Sequence, residues 1–167
     1  MVIQDLVFSI YIQTMSSIGD LEKVKLNTIC RTFNADSTVS EIADMMDLQD
    51  IGAVPIVDEN SHLLGVVSER DIVRKLVKNG RDSDLVTAKD IMTSQVITVT
   101  KKTSQIEALR LMKSNNIRHL PIVDESYKLL NFISFRDIFD SSQSNKKINF
   151  ILIGFAVILL PAILIFN

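Results

Sequence analysis

The chain has 167 residues, with 18 lysines and arginines against 20 aspartates and glutamates, a formal net charge of −2 and one cysteine. That length holds one compact domain with an appendage. The scattered, nearly balanced charge excludes a nucleic-acid footprint, and a lone thiol, Cys30, excludes an internal disulfide; Cys30 reads as a small buried apolar residue.

Residues 1–23 form an N-terminal segment in which Ile3, Leu6, Val7 and Ile10 fit one helical face, while "VFSIYI" is β-branched and aromatic enough for a strand. It is expected to be a packing or dimer-contact arm. It has neither the basic start nor the small-residue cleavage site of a signal peptide.

Two units follow, at 24–85 and 86–142, and they repeat one pattern. "VPIVDENSHLLGVVSERD" ends at Asp71 and "LPIVDESYKLLNFISFRD" ends at Asp137, with Pro55 and Pro121 sixty-six residues apart. Thr38-x-x-Glu41 and Ser104-x-x-Glu107 are capping boxes that open a first helix. Ile42, Met45 and Met46, like Ala108, Leu111 and Met112, give that helix a buried stripe. A hairpin comes next, Ala53 to Val57 then "LLGVV" in unit one, His119 to Val123 then "LLNFI" in unit two, with Asp-rich turns between. The prolines mark a strand start or an edge. A second helix begins at Glu69 or Phe135, and Gly80 ends the first of these. "VKLNTICRTF" and the stretch Val96 to Val99 are expected to add one entry strand to each unit.

The order strand, helix, strand, strand, helix, used twice, is an α/β fold of the α+β type. A unit of about 60 residues buries too little surface to be robust alone. Two units packed sheet to sheet about a pseudo-twofold axis solve this and leave two equivalent clefts at the seam.

A polar, basic linker at 143–147 leads to an uncharged stretch at 148–166. As a helix it would measure about 28 Å, close to the roughly 30 Å hydrocarbon core of a bilayer. A C-terminal transmembrane helix is expected. Lys146 and Lys147 precede it, so the tail anchor would hold the folded units at the cell membrane on the cytoplasmic side.

Each hairpin ends in Ser-x-Arg-Asp. Ser68-x-x-Asp71 and Ser134-x-x-Asp137 are capping boxes in their own right, yet the same aspartates can accept hydrogen bonds from the 2′ and 3′ hydroxyls of a ribose. The serine hydroxyls can bond a sugar or a phosphate. Arg118 offers a fork of donors for a phosphate and His119 a further donor, where unit one has Gly52 and Ala53. Arg136 and Arg70 either touch a phosphate or face solvent. Asn131 stands where unit one has Gly65 and is expected to crowd the local backbone. No nucleophile–base pair, phosphate-binding glycine loop or metal set is visible, so no catalytic residue, metal ligand or cofactor is assigned and no enzymatic activity is expected.

The period, the two "PIVD" hairpins, "IRHLPIVD" and "DIMTSQVITV" resemble the cystathionine-beta-synthase (CBS) domain pair, or Bateman module, over about residues 24 to 142. The resemblance implies a regulatory module that binds adenosine-containing ligands (AMP, ADP, ATP or S-adenosylmethionine) between the paired units and assembles further as a homodimer. It places Asp71, Asp137, Ser68 and Ser134 at the ligand, with Ala53, Val54, His119, Leu120 and Pro121 framing the purine and Arg118 and Arg136 near a phosphate. The cleft served by Arg118 and His119 is expected to hold the phosphorylated ligand more tightly. Two other readings remain open: an accessory subunit of a membrane transporter or channel, and a dimerisation module without a ligand.

Overall fold

The structure is a computed structural model that describes residues 17–26 and 30–140. Most of the N-terminal arm and the apolar stretch at 148–166 lie outside the described residues. Among the described residues no helix is long and apolar enough to cross a membrane.

After a single 3₁₀ turn, Ile18–Asp20, comes α1 (Glu22–Lys25). Unit one then runs α2 (Val39–Gln49), β1 (Ala53–Val57), β2 (Leu63–Ser68) and α3 (Glu69–Asp71), the last continuing as a π turn, Ile72–Leu76, and a 3₁₀ turn, Val77–Asn79. Unit two runs α4 (Ala88–Ile91), α5 (Gln105–Ser114), β3 (His119–Val123), β4 (Leu129–Ser134) and α6, residues 135–140.

Local chemistry sets these boundaries. Thr38 and Glu41 close a full capping box on α2, with bonds of 2.9 and 3.2 Å. On α5 only half of the box forms: the Glu107 N–H donates to Ser104 Oγ at 3.2 Å, but the Glu107 carboxylate turns to Arg110 at 2.7 Å. Gly80 ends the unit-one helix in the left-handed region, φ 61°. In the hairpin turns Asp58 Oδ1 accepts the N–H groups of Asn60 and His62, and Asp124 Oδ1 accepts those of Ser126 and Lys128.

The repeat extends to backbone detail. Each hairpin is a two-stranded antiparallel sheet with a register shift at the same place, between Ile56 and Val57 and between Ile122 and Val123. The left-handed residues Asp50 and Ser61 recur as Asn116 and Tyr127 at the same spacing. The expected entry strands shrink to single parallel bridges, Phe33 to Ile56 and Val99 to Ile122. Proline explains this. The Val99 N–H donates to Pro121 O and the Val123 N–H to Val99 O, but the next bond in the ladder would need the amide hydrogen that Pro121 lacks. Pro55 stops the unit-one bridge in the same way.

The two cores exchange arms. Ile18, Leu21 and Val24 are buried with Ala108, Met112, Leu120, Ile133 and Ile138 of unit two. Val86, Ala88 and Ile91 are buried with Ile42, Met46, Val54, Ile56 and Val67 of unit one. Neither unit closes its apolar interior without a segment that lies outside it in sequence, which ties the pair into one body.

The pseudo-twofold axis passes through a bridge between His62 and its own equivalent, Lys128. The flanking bonds exchange symmetrically: the Leu63 N–H donates to Tyr127 O at 3.2 Å and the Leu129 N–H to Ser61 O at 2.9 Å. An antiparallel bridge between equivalent residues is itself a local twofold.

Candidate functional site

Each cleft is built from the aspartate-ended hairpin of one unit and the helix end and entry segment of the other. The larger is a cavity of about 840 Å³ that includes Ser134 and Asp137 of unit two and Asp50 to Ala53 of unit one. The smaller, about 140 Å³, includes Ser68 and Asp71 of unit one and Asn116 to His119 of unit two. Small-molecule sites span about 300–1,000 Å³, a range that the first cavity falls within and the second falls below.

Both Ser-x-x-Asp motifs do cap a helix. Asp71 Oδ2 accepts the Ser68 N–H at 3.0 Å and the Ser68 hydroxyl at 2.6 Å. Asp137 Oδ2 accepts the Ser134 N–H at 2.6 Å and its hydroxyl at 2.8 Å. The difference lies in the second oxygen. Asp71 Oδ1 holds the Lys75 ammonium at 2.9 Å and accepts from Thr93 Oγ1 at 3.2 Å. Burial would raise the Asp71 carboxyl, but the Ser68 hydrogen bonds and Lys75 outweigh it and hold the group below the ordinary range. At Asp137 the one cation among the described residues, Lys23, sits on the capping oxygen Oδ2 at 3.2 Å. Among the described residues Oδ1 of Asp137 accepts nothing, so two lone pairs remain for a guest.

Of the residues expected at a ligand, Ala53, Arg118 and His119 line both cavities; Ser134, Arg136 and Asp137 line the larger and Ser68 and Asp71 the smaller. Val54, Leu120 and Pro121 line neither. Strand side chains alternate, and these are buried: Val54 and Leu120 sit in the cores of units one and two, so they do not frame a purine from the cleft side. His119 stacks on Phe132 with ring centroids 5.5 Å apart and planes 5° apart. Burial, helped by the neighbouring Arg118 charge, pushes its imidazole down to about 4, so it is no cation at neutral pH. Arg118 is already paired with Glu69 at 3.3 Å.

Asn131 is 1% exposed and does not crowd the strand. Its Oδ1 accepts the Phe132 N–H at 2.8 Å and its Nδ2 donates to Lys23 O at 3.4 Å. At the equivalent place Gly65 leaves room for the first segment of unit two, where Val66 and Thr93 exchange backbone bonds of 3.1 and 2.9 Å. Asn131 thus replaces a backbone bridge with a side-chain one and steadies the segment that carries Lys23. Lys23, Phe132 and Phe135 line the larger cavity without having been singled out in the sequence. For Lys23 no sequence signal existed, because it meets Asp137 across 114 residues.

A tandem α/β module with two seam clefts, each next to a capped aspartate, places the chain among paired-repeat proteins. The family model for the CBS domain matches residues 20–78 and 88–144, and the chain belongs to the CBS-domain family. An uncharacterized protein of Methanopyrus kandleri is 42% identical over 107 residues, 64% of this chain and 55% of that one. A CBS-domain protein of Burkholderia ambifaria of known structure is 30% identical with a TM-score of 0.67, covering 75% of this chain and 89% of that one. The CBS domain pair of protein MJ0100, solved with 5′-methylthioadenosine and S-adenosyl-L-methionine, is 27% identical with a TM-score of 0.60, covering 66% and 89%. The chain spans about half the length of several of the curated relatives it matches.

Proposed function

We propose that the chain is a non-enzymatic sensor whose larger cleft binds one adenosine-containing ligand, with Asp137 Oδ1 accepting from the ribose hydroxyls. The observation that carries this is the capped carboxylate of Asp137, a residue that lines a cavity of about 840 Å³ and whose Oδ1 accepts nothing among the described residues. The methylthioadenosine and S-adenosylmethionine bound by a relative of the same fold support the ligand class. Ser134 orients the aspartate and keeps a lone pair for the sugar. Adenine fits the apolar wall of Met46, Ile51, Ile72 and Phe135.

Binding bridges the two units at the seam and so shifts the balance between their packings. The output passes to an effector that this chain contacts as a homodimer. The stretch at 148–166 anchors it in the cell membrane with the pair on the cytoplasmic side. Native mass spectrometry of the full chain with adenosine, AMP and S-adenosylmethionine tests the central point. One bound ligand per chain is expected. Two equivalent ligands, or none with any of the three, would refute it.

A further inference from the structure

The charges around the larger cleft come in matched sets. Lys23 meets Asp137 at 3.2 Å, Arg118 meets Glu69 at 3.3 Å, and Arg136 faces Asp50 at 4.0 Å. The remaining charged lining is Arg31 and Asp47, both exposed and opposite in sign. His119 adds no charge at neutral pH. Among the described residues the charged lining is therefore balanced in sign, and apart from the exposed Arg31 each of its arginines and lysines already faces a carboxylate.

Glu69 is the residue that arranges this at the seam. Its N–H donates to Gly52 O at 3.1 Å, and because Gly52 has no side chain the Glu69 carboxylate folds over it: a Cβ on Gly52 would lie 3.1 Å from Glu69 Oε2. From there the carboxylate reaches Arg118 of the other unit. At the equivalent place in unit two the same backbone bond, 2.8 Å, joins Phe135 to Arg118. The repeat has thus put glycine and glutamate on one side of the pseudo-twofold axis and arginine and phenylalanine on the other. That choice creates a cross-seam ion pair at a position where the Ser-x-Arg-Asp motif itself prescribes no residue.

We propose that the larger cleft selects adenosine derivatives with a neutral or cationic 5′ substituent over those with a 5′ phosphate, and that Glu69 sets this selectivity by holding Arg118 back from the ligand. The inference rests on the adenosine reading of that cleft. A 5′ phosphate brought near Glu69 loses hydration, meets a like charge and finds Arg118 engaged, which is discrimination by repulsion rather than by added contacts. A methylthio or sulfonium group has none of these costs.

Calorimetric titration of the full chain with adenosine, 5′-methylthioadenosine and AMP, on wild type, Glu69→Gln and the double variant Glu69→Gln/Arg118→Gln, tests it. Wild type should bind 5′-methylthioadenosine more tightly than AMP. Glu69→Gln should move the affinity ratio toward AMP by about 1.5- to 5-fold, the range for an exposed ion pair, and the double variant should reverse that gain. A wild-type preference for AMP, or a ratio that Glu69→Gln leaves unchanged, would overturn the inference. The three ligands together separate the two levels. If none of the three ligands binds, the adenosine reading falls and the inference with it; if they bind and no discrimination is seen, only the role of Glu69 falls. Both side chains are more than 60% exposed, so the substitutions leave the cores intact, and a melting curve of each variant verifies this.

Discussion

Replacing each aspartate by alanine in turn separates capping from ligand binding, because both residues cap a helix and only one has an oxygen to spare. Asp137→Ala and Asp71→Ala each delete a capping-box carboxylate, a loss of about 1 kcal/mol. Asp71→Ala also removes the partner of Thr93 Oγ1 and one acceptor of Lys75, whose ammonium keeps Ile91 O at 2.6 Å, while Asp137→Ala removes the partner of Lys23, so the two should be destabilised by similar amounts. Ligand response should tell them apart. At one hundred times its dissociation constant a ligand stabilises the wild-type fold by about 2.7 kcal/mol. For a domain of this size that is about 10 °C in melting temperature.

Loss of one hydrogen bond to a charged group costs about 1.5–3 kcal/mol, which weakens binding about 10- to 150-fold. At the same ligand concentration the stabilisation then falls to between about 0.3 and 1.4 kcal/mol. In a thermal-shift assay with 5′-methylthioadenosine, Asp137→Ala should therefore move by roughly 1–6 °C, while Asp71→Ala keeps nearly the whole shift. Equal loss in both variants would mean that the aspartates act only through the helix ends. An undiminished shift in Asp137→Ala would remove the ribose contact altogether.

His119 should make stability depend on pH. Its imidazole is held neutral down to about 4 against an unfolded value near 6.5, so the unfolded chain binds more protons between those limits and stability falls as pH drops from 6.5 to 4, by up to about 3 kcal/mol. His119→Phe, which keeps a ring against Phe132, should flatten that segment of a urea-denaturation profile; an unaltered slope would assign it to other groups. Gly65→Ala should destabilise by about 1–3 kcal/mol, because the new Cβ would lie 2.7 Å from Met92 Sδ and 3.0 Å from Thr93 O, and an unchanged melting temperature would show that this contact yields freely. Cys30, whose thiol burial pushes up to about 11, should react with a disulfide reagent at pH 8 far more slowly than a free thiol, and a ligand in the larger cleft that it lines should slow it further.

Much of the architecture was readable because capping and turn chemistry are local. Thr38, Glu41, Asp58, Asp124 and Gly80 perform in the structure the roles that their spacing announces. The sixty-six-residue period turned two weak local signals into one strong tertiary expectation. What could not be read depends on contacts between distant segments. The entry strands looked like strands by composition, and only the missing amides of Pro55 and Pro121, seen in their parallel partners, limit them to one bridge each. Val54 and Leu120 adjoin Ala53 and His119 in sequence, but a one-residue step along a strand turns a side chain from cleft to core. For Arg118 and His119 the sequence could not show the partners that Glu69 and Phe132 supply or the burial of the imidazole.

The inequality of the clefts has the same origin. A duplicated unit conserves what each copy needs for its own folding, so the capping contacts at Ser68 and Ser134 are nearly superposable in kind. Positions that face the other copy are under no such restraint. Gly52 and Arg118, Gly65 and Asn131, Glu69 and Phe135 are equivalent pairs that differ, and each pair contributes a residue at the seam or against a segment crossing it. The consequence is that the protein's own Lys75 and Thr93 fill the acceptor capacity of Asp71, whereas Lys23 reaches only the capping oxygen of Asp137. Twofold symmetry of the backbone is therefore compatible with the single ligand proposed for the larger cleft, and on that proposal the stoichiometry is set by side chains at the seam rather than by the number of repeats.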